Sequence, residues 1–285
     1  MVMRKLFPVL LILLVQVFPT VSLSETPQRI IPLSPSVAEI LYGIGAWEKV
    51  VGVTIYSDFP PEAKNLPKVG GWINPNLEAI IVLRPDLVIM VDEQERIFGE
   101  KLRKIGLKTL AVKSKTFRDT LNAILTVGKA VGREEVAKKV AEDVKFKIDE
   151  IRQRTKSFKR KRVLFVVGRN PGALSDIYAI APGSFIDEII TAAGGENVMK
   201  EFKGFAVNIS KEAVLLLNPE VIVEINHGKK EKEALKVWNE LSVVSAVKNG
   251  EVHIIWETAF LHPSQRIIEA TQILAEILHP EAFRK

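Results

Sequence analysis

Four aromatic residues stand beside short apolar runs. Tyr56 follows "VVGV" (residues 50 to 53), Trp72 precedes "NLEAIIVLRPDLVI", Phe205 precedes "SKEAVLLLNPEVIV", and Trp256 closes "EVHIIW". In open α/β sheets ligands bind beyond the carboxyl ends of the strands, so aromatic side chains at such places suit stacking on a large, partly apolar ligand. Arg169, with Asn170, follows the run "VLFVVG"; a guanidinium there offers a forked donor to a carboxylate or phosphate. Glu78 and Glu212 lie 134 residues apart in two similar stretches. Each sits in a predicted first helical turn, where a carboxylate favours the helix dipole, and together they offer matched acidic contacts to a two-fold symmetric partner.

Catalytic chemistry finds no such support. The chain has no G-x-x-x-x-G-K-[ST] loop, no complete G-x-G-x-x-G, no G-x-S-x-G and no H-E-x-x-H. Its four histidines, His227, His253, His262 and His279, all fall in the last 60 residues without a metal-ligand spacing. No residue is therefore assigned a catalytic or metal-binding role, and an enzyme is not expected. His227 is the most suggestive of the four because it follows a predicted strand.

The elements that must position these residues alternate in type. Strands are predicted at residues 29 to 33, 50 to 53, 87 to 90 and 107 to 112, with helical stretches between, which argues for a parallel α/β lobe. The first helix begins in "SPSVAEILYGIG", where Ser36 and Glu39 read as a capping box. From residue 133 to about 158 the pattern becomes one long amphipathic helix, with Ala137, Ala141, Val144, Ile148 and Ile151 on one face and acid-to-base pairs four apart. About 25 residues would span roughly 37 Å, enough to cross between domains. The alternation then restarts at residues 163 to 168, 220 to 225 and 251 to 256, with a capped helix at Ser184 and Asp187 and a last helix over residues 265 to 278. The reading is an N-terminal α/β lobe over residues 25 to 132, a bridging helix over 133 to 158 and a second α/β lobe over 159 to 285.

That organisation contains a repeat. Glu78-Ala79-Ile80 aligns with Glu212-Ala213-Val214, and Leu83-Arg84-Pro85-Asp86 with Leu217-Asn218-Pro219-Glu220, each before an apolar strand. Asn76 and Ser210 are good N-cap residues at the head of each copy.

At 285 residues two domains are the default. Residues 1 to 24, with Arg4 and Lys5 ahead of an apolar run from Leu6 to Phe18, read as a secretory signal peptide cut after Ser24. The absence of cysteine excludes a lipid anchor on that residue, and it leaves folding to core burial. The net charge of +6 becomes +4 without the two cations of the leader and is spread thinly, so nucleic acid is not expected as a partner.

"RIIPLSPSVAEILYGIG", "VGVTIYSDFPPEAKNLPKVGGW", "NLEAIIVLRPDLVI", "GGENV" and "SKEAVLLLNPEVIV" occur in an order that resembles the helical-backbone class of periplasmic substrate-binding proteins of ABC importers. The group carries cobalamin, ferric siderophores and haem. "YSDFPPEA", with the tryptophan sixteen residues after its tyrosine, is most similar to the cobalamin-binding branch. The resemblance implies two Rossmann-like lobes joined by one long α-helix, with a ligand cleft between them. It also implies a monomeric periplasmic receptor that holds no permanent cofactor. Tyr56, Trp72 and Phe205 would contact the ligand, with Trp256 and Arg169 as further contacts. Glu78 and Glu212 would dock arginines of a dimeric permease that works with ATP-binding cassette subunits. The sequence departs from that branch at Val91 and Ala173, where further cleft aromatics stand, and at Arg169, where the branch is apolar. These departures keep a ferric siderophore or haem as the alternative cargo, with His227 or Tyr56 as an iron contact.

Overall fold

The computed structural model describes residues 26–226 and 231–284. The predicted leader and His227 lie outside these residues.

The first lobe is built on three parallel strands, β1 (Ile30–Pro32), β2 (Leu87–Val91) and β3 (Thr109–Val112), in the order β1-β2-β3. β2 reads Leu-Val-Ile-Met-Val with every residue buried, the pattern of a strand covered on both faces. The expected strand at 50 to 53 does not form. Val50 bridges Ile30 and Val53 bridges Lys68, so the chain leaves one partner for another within four residues. The helix Pro35–Gly43 is capped by Ser34, whose hydroxyl accepts from the Val37 N–H at 3.3 Å, and not by Ser36. Proline at the first helical position fixes that start. Glu39 is thus one turn inside the helix and fully buried.

The second lobe holds β4 (Lys161–Gly168), β5 (Ile177–Ile180), β6 (Gly195–Asn197), β7 (Ala206–Ile209), β8 (Val221–Ile225) and β9 (Val252–Ile255). They run in the order β7-β5-β4-β8-β9, with β6 also on β4. β6, β8 and β9 extend the sheet in parallel, whereas β5 and β7 are antiparallel additions that short, unpatterned sequences did not announce. Ser184 caps Phe185–Ala192 as predicted, accepting from the Asp187 N–H at 3.2 Å.

One helix, Glu134–Thr155, joins the two halves. Its face of Ala137, Ala141, Val144, Ile148 and Ile151 is buried. It packs against Phe117–Ala130 in the first lobe and against Phe185–Ala192 and Ile267–Leu278 in the second. A Cβ on Gly128 would lie 2.2 Å from the Ala137 Cβ, so glycine is what lets the first pair of helices approach. A single apolar core therefore runs from Ile30 and Val37 through Ala137 and Val144 to Phe165 and Leu274. On the outer face Glu134, Asp143 and Glu150 pair with Lys138, Lys147 and Arg154 as spaced, while Glu135 also takes Lys138 at 2.8 Å in place of Lys139.

Candidate functional site

Tyr56 and Trp72 belong to two loops of the first lobe that are laced together. The Val53 N–H donates to the Pro67 carbonyl at 3.0 Å, Val69 returns a bond to Val53 at 2.9 Å, and Ile55 donates to Gly70 at 3.0 Å. Gly70 has φ +95, and a Cβ on it would strike the Asn76 nitrogen at 2.6 Å. The edge of the Tyr56 ring comes near the next residue, its Cε2 3.6 Å from where a Gly71 Cβ would be, and Tyr56 is exposed. Lys68 braces this loop from behind, donating to the Ala63 carbonyl at 2.9 Å. Burial holds its ammonium below the ordinary lysine range, against the opposing pull of Asp58.

Trp72 is half-buried and fixed by a residue that sequence reading missed. Gln94, wholly buried, donates its amide to the carbonyls of Leu33 at 2.6 Å and Trp72 at 2.8 Å, and accepts from the Val91 N–H at 3.2 Å. One side chain thus ties the ends of β1 and β2 to the tryptophan loop. Its signal was an uncharged polar residue three places beyond a buried strand.

Phe205 and Trp256 stand on separate segments of the second lobe, both exposed. The Phe205 carbonyl accepts from the Ala181 N–H at 3.0 Å, and the chain then reaches Phe185, whose N–H crosses to the Lys115 carbonyl of the first lobe at 2.7 Å. Trp256 leads through Thr258–Phe260 to a second crossing point. There Glu39 accepts from Ser264 at 2.5 Å and Arg266 at 3.2 Å and shares a hydrogen bond with His262 Nδ1 at 2.7 Å. Arg266 also lies over the Phe59 ring, 4.3 Å from its centroid. Glu39 is the buried carboxylate of an inter-lobe knot. A glutamate inside the apolar run "SVAEILYGI" was its only sequence trace.

Arg169 is not available to a ligand, which corrects its predicted role. Its side chain is 4% exposed, and Nε pairs with Glu224 Oε2 at 3.0 Å. Nη1 donates to the Asn170 and Ala173 carbonyls and Nη2 to that of Ala234. The same Glu224 oxygen accepts from the buried Trp238 indole at 2.6 Å. A guanidinium with this many partners locks β4, β8 and the helix Glu231–Trp238 together. His253 is paired with Glu251 and His279 with the Gly194 carbonyl. Among the described residues no three acidic, histidine or cysteine side chains converge on a metal position.

Glu78 and Glu212 are both exposed in the first turns of Leu77–Val82 and Lys211–Leu217. Asn76 and Ser210 cap these helices, accepting from Ala79 at 3.0 Å and Ala213 at 3.3 Å. Hydrogen bonds from its own backbone N–H and then from the Ser210 hydroxyl hold the Glu212 carboxyl below the ordinary range, so it is an anion at neutral pH. A separate cavity of about 450 Å³ lies between Glu134–Thr155 and Ile267–Leu278, lined by Lys147, Arg154 and Gln272 among others. None of the four aromatic residues borders it.

Known proteins resemble this chain in sequence and in fold. The uncharacterized ABC transporter substrate-binding lipoprotein YvrC of Bacillus subtilis is 29% identical over 273 residues, covering 93% of this chain and 84% of its own. The vitamin B12-binding protein of Vibrio cholerae is 28% identical over 260 residues, 90% of this chain and 91% of its own. The crystal structure of the Vibrio cholerae periplasmic vitamin B12-binding protein BtuF matches with a TM-score of 0.78 at 26% identity, over 91% of this chain and 99% of that one. The periplasmic haem-binding protein RhuT of Roseiflexus matches with 0.79 at 23% identity over 90% and 99%, a likeness of fold. The periplasmic binding protein family model matches residues 30–258, which span both lobes and the helix between them; the chain belongs to that family.

Proposed function

We propose that this protein is the periplasmic receptor of an ABC importer, that its cargo is cobalamin or a related corrinoid, and that it has no catalysis of its own. The observation that carries the reading is the exposed Tyr56 on a loop that backbone bonds lace to the turn bearing Trp72, whose backbone carbonyl Gln94 holds. Aromatic residues so placed recognise a broad, flat, partly apolar molecule. Phe205 and Trp256 supply aromatic faces from the second lobe. The cobalamin relatives named above support the same cargo. Glu78 and Glu212 dock a permease dimer, whose cassette subunits hydrolyse ATP. Two connections oppose wide opening of the lobes: a continuous helix, which offers no loop residues to absorb large dihedral changes, and the Glu39 knot. Closure on binding is therefore small.

Calorimetric titration of the purified protein with cyanocobalamin tests the cargo. One-to-one binding that weakens at least tenfold in Trp72→Ala is expected, since loss of a central aromatic anchor typically costs about 2 kcal/mol. Absence of cobalamin binding, with saturable binding of haem or a ferric siderophore in parallel titrations, would move the cargo to iron.

A further inference from the structure

We propose that the aliphatic pairs Ile81–Val82 and Leu215–Leu216 form the apolar half of the surface that meets the permease, an inference that rests on the receptor reading above. On each short helix the residues at i, i+3 and i+4 share one face. That face reads Glu78, Ile81, Val82 in the first copy and Glu212, Leu215, Leu216 in the second. The aliphatic members are 49%, 77%, 39% and 88% exposed, whereas Ile80 and Val214, which turn inward, are fully buried. Adjacent, largely solvated aliphatic side chains are costly for a monomer, and here they recur at the same 134-residue interval as the carboxylates.

This repetition defines the partner's chemistry. It must carry, twice, a cation beside an apolar pocket, and the two copies must be related by an approximate two-fold axis. A permease dimer has that symmetry. An anionic membrane surface does not suit the patch, because it repels the carboxylate that shares each face. The glutamates then supply steering and register, and the aliphatic pairs supply contact that salt does not screen.

The test uses the importer complex, permease dimer with its cassette subunits, in nanodiscs of phosphatidylcholine and phosphatidylglycerol, with empty discs of the same lipids alongside. Val82→Ser with Leu216→Ser removes the two most exposed side chains of the patch without touching the core. The expected result is at least tenfold weaker binding to the importer discs at both 50 and 500 mM salt, on the order of one buried aliphatic chain per copy, with unchanged cobalamin affinity. Glu78→Arg with Glu212→Arg is the control for docking itself. If that control fails to dock while the serine variant docks like the parent, the aliphatic inference is overturned and the docking reading stands. If the control docks normally, the docking reading fails and takes the inference with it. Parent protein that adheres equally to empty discs, and loses this with serine, would overturn the inference in favour of a lipid surface.

Discussion

The two copies of the repeated unit agree closely where they face solvent and differ where they meet their sheets. In both, an arginine near the start of a strand donates to a carbonyl at the end of the helix, Arg29 to Leu83, the C-cap, and Arg162 to Leu217, the last helical residue. In both, the carboxylate after the proline accepts from the backbone N–H of that arginine, Asp86 from Arg29 at 3.0 Å and Glu220 from Arg162 at 2.9 Å. Each helix ends on a residue with positive φ, Arg84 at +46 and Asn218 at +39. The strands that follow diverge. β2 carries Met90 where β8 carries Glu224, and only the second needs an arginine to neutralise it. The first lobe stops at three parallel strands, while the second adds antiparallel β5 and β7. The outward face of each copy keeps a glutamate followed by two aliphatic residues, Glu78 with Ile81 and Val82 and Glu212 with Leu215 and Leu216, while the strands beneath differ in chemistry.

Breaking the Arg169–Glu224 pair tests that contrast with the largest effect. Arg169→Met should cost about 3–5 kcal/mol of unfolding free energy, because Glu224 is then left buried with, among the described residues, the Trp238 indole as its remaining partner. Arg169→Met combined with Glu224→Met, which copies the Met90 position, should recover only part of that loss, since the apolar pair removes the unpaired charge but leaves the buried Trp238 indole N–H without its acceptor. Urea unfolding of the three proteins gives the answer. A single variant that folds as well as the parent but binds cobalamin tenfold more weakly would return Arg169 to the ligand.

Much of this contrast was legible beforehand, and all but one of the exceptions share a cause. The repeat, both N-caps, both exposed glutamates and the long helix were readable because each depends on residues within four or five positions of one another. What was missed depends on distant partners. Glu39 could not be placed until His262, Ser264 and Arg266 came to it from more than 220 residues away. Arg169 looked like a loop cation because its partner lies in another strand, although a glutamate inside the apolar run "EVIVEI" did announce that some cation must reach it. β5 and β7 are four residues each, too short for a period to show, and their pairing with one another makes them strands. The Ser36 cap was a local error: Ser34 followed by Pro35 was the stronger start signal.

The left-handed residues sharpen the comparison at about a fifth of that energy. Arg84→Gly should stabilise the protein by about 0.5–1 kcal/mol, because a side chain at positive φ is strained and glycine is not. Asn218→Gly should instead be neutral or cost up to about 1 kcal/mol, since asparagine tolerates this conformation and its Oδ1 also accepts from the Ser245 N–H at 2.8 Å. Opposite signs in thermal unfolding would show that the second copy has taken on a structural duty the first lacks. Equal gains would mean that the Ser245 bond contributes nothing.

The smallest effect concerns the carboxylate that closes the second copy. The Arg162 N–H, foremost, and Lys159, less strongly, hold the Glu220 carboxyl below the ordinary glutamate range despite partial burial. A carboxyl depressed in the folded state contributes its full stability above the unfolded pKa and loses it as the pH falls through the folded value. Stability should therefore decline below about pH 4.3, the unperturbed glutamate value, and Glu220→Gln should remove part of that decline. The side chain is about one-third exposed, and screening keeps the contribution to ~0.5 kcal/mol. Urea midpoints measured at pH 7 and pH 3 should thus differ less in Glu220→Gln than in the parent. An unchanged difference would show that the Arg162 N–H is held as well by a neutral amide as by the anion, leaving this corner of the two copies equivalent.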